Sequence, residues 1–238
     1  MLVAAAVCPC PPLLVPAVAA GAAAELDALR ACCADALGVL AAARPDRLLV
    51  VGPAEQAQRG PYPQGTTGSF RGFGVEADVT LGSATGGTAG ERPLPTSLAV
   101  ASWLLESVRW SASPVEGLGV GEPLAAERCL RTGRDIAAQP GRTALLVMGD
   151  ASACRTVKAP GYLDERAAGF DAEVARALGA ADIAALAALD AELAQELKAV
   201  GRAPWQILAG AAEGTALGGA LLYDEAPYGV GYLVAAWS

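Results

Sequence analysis

The stretch "GDASACRTVKAPGYLD", Gly149 to Asp164, brings two carboxylates, a thiol, two cations and a phenol together behind an apolar run. Asp150, Ser152, Arg155, Lys158 and Tyr162 are the side chains in it suited to a small polar ligand. The guanidinium and ammonium supply charge, and the hydroxyls and the carboxylate supply directed hydrogen bonds. Loops this long are uncommon in compact domains unless they are functional, although Asp and Ser at such positions also serve as plain caps of turns and helix ends. A second concentration lies near the start, where "VAAAVCPCPPLLVP" sets Cys8 and Cys10 two apart behind another apolar run. Paired thiolates suit a soft ion such as Cu(I) or Zn²⁺, and Cys154 is the third sulfur that such a site would recruit. Structural zinc usually takes cysteines with two to four residues between them, more than the single Pro9 here, and small thiols at a strand end serve equally as buried packing.

The chain contains no histidine. That removes the Ser-His-Asp and Cys-His nucleophile pairs, the iron site of two histidines and a carboxylate, and an imidazole general base. Neither G-x-G-x-x-G nor G-x-x-x-x-G-K-[ST] follows an apolar run, so a nucleotide has no cradle in the sequence. "GVG" at Gly229 to Gly231 is better read as a tight strand start, and Trp103, Trp110, Trp205 and Trp237 as packing. With a formal charge of −8 and only Lys158 and Lys198 as lysines, the chain carries no basic stripe, which argues against nucleic acid and anionic membrane as partners. The apolar start lacks a positively charged region and is broken by Pro9, Pro11, Pro12 and Pro16. The expected compartment is therefore the cytoplasm, with the six cysteines reduced.

These groups need a scaffold, and the apolar pattern supplies one. In 238 residues, 53% apolar content is ample for a buried core. Leu2 to Val7, Arg47 to Val51 and Thr143 to Met148 are unbroken apolar runs of the kind that form strands buried on both faces. Between the first two, Leu26, Leu29, Cys33, Leu37 and Leu40 recur at helical spacing within a helix predicted over Ala17 to Ala43. The opening is thus β-α-β, with parallel strands as the default. Ala54 to Gly68 reads as loop, Phe70 to Leu81 as a strand, Gly82 to Pro95 as a surface loop or lid, and Thr96 to Ser107 as a helix capped by Thr96 or Ser97. Val108 to Val120 should hold a strand and Pro123 to Gln139 a helix. Helices follow over Asp164 to Leu178, Ala181 to Val200 and Trp205 to Ala212, then strands over Ala216 to Tyr223 and Gly229 to Trp237. The expectation is a single α/β domain over 1–238, with a mostly parallel or mixed central sheet between two helical layers. Ligands of such sheets sit beyond the carboxyl ends of the strands, which selects Cys8 to Pro12, Gly52 to Gln58 and Gly149 to Asp164.

Taken together, "VAAAVCPCPPLLVP", "LLVVG", "LLVMGDASACRTVKAPGYLDERAAGFD", "GRAPWQILAGAAEG" and "LLYDEAPYGVGYLVAAW" resemble the class III extradiol ring-cleavage dioxygenase-like (LigB-like) family of actinobacterial type, and more distantly Memo-type proteins. The resemblance covers most of the chain. It implies Fe(II) held by a histidine after the first strand, a histidine after the next, and a carboxylate near a C-terminal helix, with a further histidine as acid/base. Here the first ligand falls on Cys10, and the second in a segment that offers only Glu55 and Gln56. The acid/base falls around Asp150 to Ser152, and no carboxylate precedes Trp205 where one is expected. The function expected from this is a non-catalytic or repurposed small-molecule-binding protein using Asp150, Ser152, Arg155, Lys158 and Tyr162. One alternative is a metal-dependent dioxygenase acting on a catechol-like aromatic with Cys10 as substitute ligand. The other is a copper or zinc protein built on Cys8, Cys10 and Cys154. The family resemblance also implies a homodimer.

Overall fold

The computed structural model describes residues 1–83 and 92–238. A seven-stranded mixed sheet runs through it, built from β1 (Leu2–Cys8), β2 (Arg47–Pro53), β3 (Gly60–Tyr62), β6 (Val115–Val120), β7 (Thr143–Met148), β8 (Gly219–Glu225) and β9 (Tyr232–Trp237) in the order β3-β6-β2-β7-β1-β9-β8. The four central strands β6, β2, β7 and β1 are parallel, while β3, β9 and β8 run antiparallel to their neighbours. A separate two-stranded ribbon pairs β4 (Thr67–Ser69) with β5 (Asp78–Thr80). The helices are α1 (Pro16–Ala19), α2 (Asp27–Ala42), α3 (Thr96–Ser107), α4 (Ala126–Ala138), α5 (Ala167–Gly179), α6 (Ile183–Ala187), α7 (Ala191–Glu196) and α8 (Arg202–Ala212).

The apolar runs behave as their composition dictates. All six residues of β7 are buried, because alternate side chains enter different cores. Leu146 and Met148 join Ala4, Ala6, Leu48 and Val50 against α2 and α3. Leu145 and Val147 join Ala5, Val7 and Val51 against α4, α5 and α8. The result is three layers, helix–sheet–helix, with two cores that share the sheet. Thr96–Ser107 and Thr143–Met148 appear with the bounds their patterns predict.

Elsewhere the chain departs from its pattern for local reasons. The first predicted helix is interrupted at Ala20, whose φ of 49° leaves the helical region, so a 3-10 segment over Ala20–Leu26 precedes α2. The stretch 181–200 divides into α6 and α7 because Asp190 caps a new start, its side chain accepting from Glu192 N at 2.8 Å and Leu193 N at 3.1 Å. Ala54 to Gly68, expected as loop, contains β3 and part of β4, whereas only Asp78–Thr80 of the predicted strand Phe70 to Leu81 pairs. Residues 84–91 of the expected surface loop lie outside the described residues. The cap of α3 is Pro95 rather than Thr96 or Ser97, and Ser97 Oγ instead donates to the Pro53 carbonyl at 2.6 Å. Among the described residues no helix is long and apolar enough to cross a membrane.

Candidate functional site

The connections leaving β1 and β2 pass to the α2/α3 face, and those leaving β6 and β7 to the α4/α8 face. Adjacent parallel strands therefore send their exits apart at β1/β7, at β7/β2 and at β2/β6, and such divergence opens crevices at the carboxyl edge of a sheet. Each piece of the candidate site occupies one of these positions.

At β1/β7 the crevice is bridged. Cys10 N–H donates to Asp150 Oδ1 at 2.8 Å, and Gly149 N–H donates to the Cys8 carbonyl at 3.0 Å, so the two exits are stitched together across 140 residues of sequence. Behind them Gly149 lies directly on Gly201, where a Cβ would overlap the Gly201 Cα, and Gly201 N–H donates to the Asp150 carbonyl at 2.9 Å. Only glycine at 149 permits this approach, which fixes the backbone that carries Asp150. Burial pushes the Asp150 carboxyl up to about 6, partly offset by the Cys10 amide. Among the described residues no cation pairs with it. Burial, followed by the Asp150 charge, also holds the Cys10 thiol well above its ordinary value. The buried Tyr232, first residue of β9, completes the group, its phenol pushed up by burial first and then by Asp150. Because β9 is antiparallel to β1, its first residue arrives at the same edge where β1 ends.

The loop after β7 is tied by hydrogen bonds, and much of its chemistry is internal. Ser152 is fully buried, its N–H and Oγ both donating to the Asp171 carboxylate at 2.8 Å. Arg155 Nη1 joins the same carboxylate at 2.9 Å. Burial raises the Asp171 carboxyl, and the hydrogen bonds from Ser152 and Arg155 oppose that rise. Of the five residues expected to face a ligand, Ser152 and Arg155 are thus spent on Asp171, Lys158 and Tyr162 stand exposed on the loop, and Asp150 points toward β1. Asp171 was legible only as a lone acid beside Phe170 and Val174 on the inward stripe of α5, a spacing that asks for a buried partner.

The cysteines expected to share a metal are dispersed. Cys8 faces α2, where its thiol meets that of Cys33 and raises it. Cys154 belongs to the opposite core, with Sγ donating to the Leu197 carbonyl at 3.5 Å. No group of three His, Cys, Asp or Glu side chains able to hold a metal occurs among the described residues. Fe(II) as the LigB-like resemblance implies it does not fit the residues present, since the chain has no histidine and among the described residues no three His, Cys, Asp or Glu side chains converge to hold a metal.

The β2/β6 crevice is open. It forms a cleft of about 400 Å³ lined by Glu55, Gln58, Arg59, Thr96, Glu122 and Val200 with neighbouring prolines. Its floor is continuous with the sheet through Ala54 N–H donating to the Val120 carbonyl at 2.8 Å. Its far wall, Glu122 to Leu124, is held from within by Arg202, a cation 1% exposed. Arg202 donates to the carbonyls of Glu122 and Leu124 and to Gln206 Oε1. Gln206 in turn donates to the Leu189 carbonyl at 3.1 Å. Val200 joins this cleft to the Asp150 group, being the residue before Gly201. Neither Arg59, Glu122, Arg202 nor Tyr232 stands out in the sequence, since each is a single polar residue whose neighbours are set by strands far apart in the chain.

No protein-family model matches this sequence, and no curated protein does. Among solved structures, the uncharacterized protein JW3007 from Escherichia coli K12 is similar over 99% of this chain and 99% of that one, with a TM-score of 0.52 and 16% sequence identity. The likeness is one of fold.

Proposed function

We propose that this chain is a small-molecule-binding protein of LigB-like architecture that works without the iron chemistry of that family, taking its ligand at the carboxyl edge of the sheet in the β2/β6 cleft. The observation that carries the reading is the contrast between the two crevices. Across β1/β7, where the resemblance implies the first iron ligand, Cys10 and Asp150 close on each other. Across β2/β6 an open cleft of about 400 Å³, within the range of small-molecule sites, is walled by charged and polar groups. The buried carboxyl of Asp150, joined to the cleft through Gly201 and Val200, supports a functional edge too, since perturbed ionisable groups cluster at functional sites.

Two measurements on tag-free protein test this. Loaded anaerobically with Fe(II) and given a catechol and O₂, the protein is expected to yield no ring-cleaved product and to retain no stoichiometric iron after desalting. A panel of small polar acids is expected to raise its melting temperature, with the effect reduced in Glu122→Gln. Stoichiometric iron with ring cleavage would overturn the reading, as would copper or zinc that is lost in Cys10→Ala.

A further inference from the structure

The cleft between the exits of β2 and β6 is lined by groups of both signs, and their chemistry indicates what it takes. Arg59 is fixed from behind. Its carbonyl accepts from Arg92 Nη1 at 2.8 Å, and the Arg92 guanidinium lies 4.7 Å from the centre of the Tyr62 ring. The Arg59 guanidinium rests on Gly121, where a Cβ would collide with its Nε and Cζ. Yet among the described residues no hydrogen bond or ion pair engages that guanidinium. Thr96, which also lines the cleft, begins α3, a twelve-residue helix whose cap, Pro95, offers no side-chain acceptor to the first amides. Both features attract negative charge.

Glu122 lines the same cleft, 24% exposed at the side chain. One of its oxygens, Oε1, is turned inward without a hydrogen-bond partner, 4.0 Å from Arg202 Nη2. The carboxylate is therefore held by charge but short of donors, and the exposed remainder of the side chain borders the cleft together with Glu55.

Resting on the small-molecule reading above, we infer that the cleft takes a small organic acid that also carries a hydroxyl or ammonium donor, its carboxylate on Arg59 and the first turn of α3 and its donor on Glu122. Neither feature alone defines this ligand. The cation and the helix start select a carboxylate, while a carboxylate wall would repel one that brought no donor.

The test is a titration of ¹⁵N-labelled protein with L-serine, L-lactate, acetate and ethanolamine, read from the amides of Thr96 to Leu98, Gly121 and Glu122. Serine or lactate is expected to bind at least tenfold more tightly than acetate or ethanolamine, and the stronger of the two identifies the donor as ammonium or hydroxyl. Arg59→Ala, a change at an exposed side chain, should weaken serine, lactate and acetate about tenfold. Glu122→Gln, with Glu55→Gln as a second variant should the first not fold, should weaken serine or lactate and, by relieving the repulsion, strengthen acetate. Equal binding of acetate and serine, or unchanged affinity in Arg59→Ala, overturns the inference. Perturbation confined to Cys10, Gly149 and Asp150 overturns it as well, while leaving small-molecule binding at the sheet edge intact. Binding of none of the four probes overturns it too, and the melting-temperature panel then judges the broader reading separately.

Discussion

Replacing Asp150 by asparagine should make the protein gain stability relative to the wild type as the pH rises from 5 to 7.5. The carboxyl titrates near 6 in the fold, against 3.8 for a free aspartate. Its folded value lies above its unfolded value, so its protonated form favours the fold. That advantage is full below pH 3.8 and is lost as pH rises through 6. Linkage gives a cost to the folded state of ~3 kcal/mol at pH 7.5 and roughly half of that at pH 5. The substituted amide keeps an oxygen for the Cys10 N–H but never ionises, so it avoids the cost at both pH values. Whatever else the amide does, such as leaving its own N–H groups short of acceptors, is the same at pH 5 and pH 7.5 and cancels in the difference. Urea unfolding of both proteins at the two pH values should therefore show the variant gaining ~1.5 kcal/mol relative to the wild type between pH 5 and pH 7.5. A difference that stays flat, or that falls with pH, would refute the claim that Asp150 is a buried, unpaired acid. The prediction bears on function because a group that destabilises its own fold is retained for some other reason, and the carboxyl edge of the sheet is where that reason would lie.

Further expectations concern the groups around it. Asp171→Asn strips the charge that Ser152 and Arg155 share and leaves a half-buried guanidinium unpaired, so urea unfolding should show a loss of ~3 kcal/mol. Gly149→Ala forces a Cβ into Gly201 and should lower the unfolding midpoint by the equivalent of 1–3 kcal/mol, roughly, as overpacking does. Iodoacetamide at pH 8 should label Cys32 first, the one cysteine that is not buried, and Cys10 only on unfolding, as mass spectrometry of peptides would show. Rapid native labelling of Cys10 would contradict its burial.

Much of the scaffold can be read from the sequence because its strongest elements are local statements. "TALLVM" has no polar residue beyond Thr143 that would give it a wet face, and "RLLVV" has only Arg47 at its start. The break at Asp190 was equally local, a capping aspartate hidden in an apolar periodicity that runs through "LAALDAELAQEL". The strand β3 could not be read in this way. Gly60–Tyr62 pairs with β6 as an edge, and an edge of three residues that includes a proline carries almost no pattern of its own. The site divides along the same line. Residue types and strand ends pointed to Cys10 and Asp150 separately, but their hydrogen bond depends on β1 and β7 lying side by side. Ser152 and Arg155 have the chemistry of a ligand site, and it took the position of Asp171, nineteen residues beyond Ser152, to turn that chemistry inward.

The place of β1 in the sheet has a bearing on how the molecule is made. It precedes every other strand of the sheet in the chain, yet its neighbours are β7 and β9, whose pairing residues begin at Thr143 and end at Trp237. Until those strands emerge, an apolar segment and the loop bearing Cys10 have no edge to join, whereas β2 and β6 can pair as soon as α3 is formed. Closing such long-range pairs is the slow step of folding. The β2/β6 pair should thus order early, and the cleft wall that Arg202 holds and the Cys10–Asp150–Tyr232 group last. A nascent chain halted before β7 would expose Leu2 to Cys8 to chaperones, and the completed strand β9 would act as the clasp.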